Sequence, residues 1–153
     1  MRSVPTLLTL SLVLTACAKT ETAQTDSAAA TPTMTAATTL TEADVAGTWK
    51  GTAMAEGSDS VMVHWTQVCA GGTCTGTTEE SKDTVMSTYR LDADSSIGVS
   101  SPFTDPAIAP VPLVDHYVVR VSGTTVTGTG RFVLADKPDS VVMRFRFQGA
   151  RVP

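Results

Sequence analysis

Aromatic residues are scarce, at 5% of 153 residues, and charged residues make up only 17%. Histidine is reduced to two positions, His64 and His116, and cysteine to three, Cys17, Cys69 and Cys74. That leaves little material for a multi-ligand metal centre, and no metal or cofactor site is expected. Basic charge is also short: 11 Lys and Arg face 15 Asp and Glu, a net charge of −4, which disfavours nucleic acid as a partner. Serines are plentiful, but none stands in a Gly-x-Ser-x-Gly elbow. Asp115 and His116 are adjacent, so on a strand they point to opposite faces and form no dyad. No catalytic residue is therefore assigned, and the chain reads as a non-enzyme. Also lacking are a long helical period, internal repeats and an apolar run long enough to span a bilayer as a helix.

What is present begins at the N-terminus. Met1-Arg2 supplies one positive charge, and an apolar stretch runs from Val4 to Leu14. This is the pattern of a secretory signal. It ends in Leu14-Thr15-Ala16-Cys17, which resembles the bacterial lipobox: an aliphatic residue, two small residues and the cysteine that receives lipid. The alternative is an ordinary signal peptide with a cysteine near its cleavage site. The resemblance implies that residues 1–16 are removed and that Cys17 carries several acyl chains, enough for stable membrane anchoring. Ala rather than Asp at position 18 implies, by the same resemblance, sorting to the periplasmic face of the outer membrane in a bacterial cell envelope. From Ala18 to Leu40 the chain is mainly Ala, Thr and small polar residues with no apolar face, as expected of a disordered tether. As a flexible coil it would span roughly 25–30 Å.

Residues 41–153 are expected to fold as one all-β domain. Alternation is clearest at 141–147, where Val141, Met143, Phe145 and Phe147 share one face and Arg144 and Arg146 the other. Val126, Gly128, Gly130 and Phe132 oppose Thr127, Thr129 and Arg131; Tyr117, Val119 and Val121 oppose His116, Val118 and Arg120. Val85, Ser87, Tyr89 and Leu91 oppose Met86, Thr88 and Arg90. Further strands are predicted near 47–55, 60–69, 74–79 and 96–100, with turns at 56–59, 70–73, 92–94, 122–123 and 136–139. Thr41-Glu42-Ala43-Asp44 is suited to cap one helical turn. Short links between neighbouring strands imply an antiparallel up-and-down meander, which protects its edges best by closing into a barrel of about eight strands. Gly128 and Gly130 on an apolar face fit the coiling that closure needs.

Cys69 and Cys74 flank a four-residue, Gly-containing loop, and a hairpin would set them opposite each other at disulfide distance. Export makes the compartment oxidising, and with Cys17 assigned to lipid no thiol is left over. A redox or metal pair is the rival reading; redox sites favour Cys-x-x-Cys, and two further metal ligands are not evident.

Gly47-Thr48-Trp49, behind the short helical turn, resembles the Gly-x-Trp of the first strand of lipocalins and related calycin barrels. The resemblance implies a Trp plugging the closed end of a barrel and a late Arg packed on it, for which Arg144, Arg146 and Arg151 are all candidates. Asp115-His116-Tyr117 is a distant echo of the family's other motif. The same resemblance implies non-catalytic binding of a small apolar or amphipathic molecule, with Trp49, Trp65, Tyr89, Phe103 and Phe145 as candidate ligand-binding residues. The chain is similar as well to the small barrel of bacterial metalloprotease inhibitors, which has the same opening and a disulfide. That keeps open a protein-binding role, as inhibitor or envelope-assembly partner.

The segment 101–113 carries four prolines together with Phe103, Ile108, Val111 and Leu113. The prolines are expected to forbid regular strand pairing there. The segment would then pack over one end of the barrel, cover a ligand mouth as a lid, or dock a partner. Glu79-Glu80 and Asp92-x-Asp94 read as solvated turns. Arg120, Arg131, Arg144 and Arg146 are expected on outward strand faces, where charge is the default for solubility.

Overall fold

The computed structural model describes residues 39–153 apart from Lys82. The signal segment 1–16, the lipobox with Cys17 and the tether up to residue 38 lie outside the described residues. A four-residue helical turn, α1 (Glu42–Val45), opens the domain. Asp44 closes it as a capping box: Thr41 donates to Asp44 Oδ2 from its backbone N–H at 2.8 Å and from Oγ1 at 2.6 Å.

Nine strands follow: β1 (Gly47–Ala55), β2 (Val61–Ala70), β3 (Thr73–Thr78), β4 (Val85–Asp92), β5 (Ser95–Ser100), β6 (Phe103–Asp105), β7 (Ala109–Ser122), β8 (Thr125–Leu134) and β9 (Lys137–Arg151). Each pairs antiparallel with its neighbours. The cycle β1-β2-β3-β4-β5-β7-β8-β9 returns to β1 and leaves no open edge. This is a closed eight-stranded up-and-down barrel, as the alternation predicted; β6 stands outside the cycle and pairs only with the start of β7. Among the described residues, the closed sheet and its core lie within residues 40–151.

Up-and-down order sends alternate turns to opposite ends. One end gathers α1, the β2–β3, β4–β5 and β7–β8 turns and the C-terminus of β9. The core cluster of Leu40, Val45, Trp49, Cys69, Cys74, Tyr89 and Val126 belongs to this closed end. Leu40 does not finish the tether, as its composition suggests; it is buried, and its N–H donates to Ala93 O at 2.9 Å. The other end gathers the β1–β2, β3–β4 and β8–β9 connections and the β6 hairpin.

Three sequence expectations are corrected. The prolines at 110 and 112 do not prevent pairing, because they fall inside β7 two residues apart. In a strand, residues two apart present their N–H positions to the same side, and Ala135 N–H donates to Pro112 O on that side at 3.0 Å. The intervening residues stay free to face β6, where Phe103 pairs with Leu113 and Asp105 with Ala109. The turn expected at 136–139 is shorter, with Lys137 already in β9 and paired to Leu134. Val141 leaves the inward row because the register slips between Phe132 and Val133. Phe132 pairs with Met143 and Val133 with Val141, which leaves Val142 as the extra residue of a bulge and Val141 40% exposed.

Gly128 and Gly130 do face inward, and their use is more specific than coiling. Gly128 pairs with Phe147 and Gly130 with Phe145. A Cβ at either glycine would stand 2.2 Å from the Cζ of the paired phenyl ring. The missing side chains are the seats of the two rings.

Candidate functional site

At the closed end the buried polar side chains are tied to one another and to the backbone. Trp49 is buried, and its Nε1–H donates to Val45 O at 2.8 Å. The late arginine is Arg151: its guanidinium carbon lies 4.4 Å from the centre of the Trp49 ring, and its nitrogens donate to the carbonyls of Asp44, at 2.6 Å, and Ala46. Arg144 and Arg146 are on the outer wall, as the alternation predicted, with Arg146 paired to Asp59 at 2.6 Å. Glu42 Oε1 accepts from the Tyr89 hydroxyl at 2.5 Å and from Gly71 N–H at 2.8 Å, tying α1 to β4 and to the β2–β3 turn. Burial and the Glu42 carboxylate push the Tyr89 phenol up to about 12. Cys69 and Cys74 are cross-strand partners in β2 and β3 with Cα atoms 4.1 Å apart, and their sulfurs are bonded. Only a space of about 30 Å³ remains among these side chains.

Toward the other end the barrel is hollow. A cavity of about 980 Å³ runs from the middle of the barrel to the mouth. Eight strands enclose an interior that side chains fill or that holds one small ligand, and this volume is at the upper part of the range for ligand pockets. Trp65, Phe103, Tyr117, Phe132, Phe145 and Phe147 line it, six of the eight aromatic residues in the chain. The rings form a connected wall. Phe132 stacks on Phe145 at 4.7 Å between centroids; Phe103 meets Phe132 edge-on at 5.6 Å, and Trp65 meets Phe147 at 6.0 Å.

Of the five candidate ligand-binding residues, Trp65, Phe103 and Phe145 line this cavity. Trp49 and Tyr89 do not; they are locked into the closed end by Arg151 and Glu42. The proline-bearing segment contributes Pro102, Phe103 and Ile108 to the mouth, while Leu113 is fully buried and Val111 remains 42% exposed.

Two polar atoms in the cavity have no partner among the described residues: Trp65 Nε1 and Asp115 Oδ1, both shut off from solvent. Neither stands out in the sequence as a polar contact. Asp115 follows the fully buried Leu113 by two residues and precedes Tyr117 by two, so the strand period places it inward; that was the available signal. Its backbone N–H donates to Ser100 Oγ at 2.9 Å. Burial pushes the Asp115 carboxyl up to about 8. Beside it the Tyr117 and Ser87 hydroxyls share a hydrogen bond of 2.7 Å.

His64 sits on the outer surface with Nδ1 3.2 Å from Glu80 Oε1, away from the cavity. No three His, Cys, Asp or Glu side chains gather as around a metal ion among the described residues.

No family model, curated protein or solved structure matches this chain. The barrel is consistent with a lipocalin-like fold on its own geometry: eight antiparallel strands, an N-terminal helical turn, and a buried Trp capped by a late Arg.

Proposed function

We propose that this chain is a bacterial cell-envelope lipoprotein whose lipocalin-like barrel binds one small apolar or amphipathic molecule without catalysing a reaction on it. The observation that carries the reading is the cavity of about 980 Å³, walled by six aromatic rings and sealed at one end. A structural barrel of this strand number is able to fill its interior with side chains, as the closed end of this one does. The lipobox resemblance at Leu14–Cys17 supports the anchor, and Ala rather than Asp at position 18 supports the periplasmic face of the outer membrane as the location.

Titration of the chain beginning at Ala18 with N-phenyl-1-naphthylamine tests the cavity. A saturable rise in emission at one probe per chain is expected, weakened when Val63→Trp, at a lining position, intrudes on the cavity. Metabolic palmitate labelling tests the anchor, and Cys17→Ala must abolish it. The alternative is protein binding through the β6 hairpin, as an inhibitor or an assembly partner; it draws support only from the exposed Val111 at its surface. Phe103 and Ile108 of the same segment turn into the cavity instead.

A further inference from the structure

The cavity is not a neutral apolar bag. Three carboxylic acids line it, Asp83 and Asp105 at the mouth and Asp115 inside, and no Lys, Arg or His joins them among the described residues. The mouth carboxylates have local partners: Asp83 Oδ2 accepts from Ser81 Oγ at 2.8 Å, and Asp105 Oδ1 accepts from Ala107 N–H at 3.0 Å. Asp115 is different: the residue is half-buried in the cavity wall, and neither carboxyl oxygen accepts a hydrogen bond among the described residues, Oδ1 being packed out of reach of solvent. From the strands beside it, β5 offers the Ser100 hydroxyl and β8 the Phe132 ring, its direct cross-strand partner, while Arg131 of β8 pairs with His116, whose side chain the strand period sends to the opposite face. A buried carboxyl oxygen without a donor costs free energy that a ligand can recover.

Resting on the ligand-binding reading above, we infer that the cavity selects an organic ammonium with an apolar or aromatic body, its N–H groups donated to Asp115 and its body laid against the phenyl rings. The chemistry is complementary at each point. An ammonium supplies the donors and the charge that Asp115 lacks. The faces of Phe132 and Phe145, which adjoin Asp115 through β8, attract a cation further. A fatty carboxylate meets the opposite situation: three acids and no cation among the described lining residues. Burial holds the Asp115 proton in the ligand-free chain, so binding an ammonium must return the carboxyl to its ionised form and release that proton.

The test compares three ten-carbon probes on the chain beginning at Ala18, at pH 7 and by calorimetry: decylamine, decanol and decanoate. Decylamine should bind at least tenfold more tightly than decanol, and decanoate more weakly than either. Asp115→Asn, which keeps the shape and removes the acid, should bring decylamine to within threefold of decanol and leave decanol unchanged. The ranking on the unaltered protein needs no variant and stands even if Asp115→Asn fails to fold. Decanol or decanoate binding as tightly as decylamine overturns the ammonium inference and leaves the cavity reading intact, as does an amine preference that survives Asp115→Asn. Failure of all three probes to bind overturns both.

Discussion

The two ends of this barrel are made from the same strands and differ in how they use their side chains. At the closed end, Trp49, Arg151, Glu42, Tyr89 and the Cys69–Cys74 disulfide satisfy one another, and about 30 Å³ is left among them. Toward the mouth, inward positions carry rings that line space instead of filling it, and two buried polar atoms go unmatched. A closed, fully paired plug fixes the strand register. That lets the rest of the barrel remain hollow at the cost of stability it would gain from a filled core. On the proposed ligand-binding reading, selectivity and fold stability are separated along the barrel axis.

Substitutions should divide along this line. Trp49→Ala removes the plug and leaves Arg151 without its ring, with an expected loss of about 3–5 kcal/mol. Thermal melts should show a fall in Tm of more than about 10 °C; an unchanged Tm would mean that the closed end is not the stabilising end. Asp115 gives the next largest effect, and its sign is opposite to that of a paired carboxylate. Its proton is held more tightly in the folded chain, near pH 8, than in the unfolded chain, near the ordinary 3.8. Its contribution to stability is therefore present at low pH and is lost as pH rises through that window, by up to about 1.4 kcal/mol per pH unit. Melts from pH 5 to pH 8 should show Asp115→Asn gaining stability relative to the parent as pH rises; parallel curves would refute a buried, unpaired acid. Replacing Cys69 and Cys74 together by Ser should cost about 2 kcal/mol, since the loop they close is short. Phe103→Ala, at the mouth, should change stability by less than about 1 kcal/mol while weakening probe binding severalfold. A large stability loss there would erase the distinction between the ends.

Much of this was legible in the sequence. Period-two alternation located four of the eight barrel strands, the stretches between turn signals indicated the other four, and Thr41 to Asp44 announced the helical turn. The Cys69–Cys74 spacing pointed to the cross-strand pair. What escaped depended on geometry that alternation does not carry. The bulge at Val142 shifts one strand by a residue and drops Val141 from the inward face. Prolines 110 and 112 look like breakers until the strand shows that both missing donors fall on the same side. Aromatic residues are scarce, yet six of the eight converge on one space because their strands deliver them there. Which of three late arginines covers Trp49 is decided by the pairing of Trp49 with Arg151 in β1 and β9, a register the sequence does not encode locally.

The measurement that bears most directly on the hollow mouth is calorimetric titration of decanol, a neutral chain, into the protein beginning at Ala18 at several temperatures. A hollow, ring-lined barrel predicts saturable binding of one molecule per chain with a negative heat-capacity change, the mark of apolar surface leaving water. Heats that never saturate, or an affinity unchanged when Val63→Trp intrudes on the cavity, would contradict it.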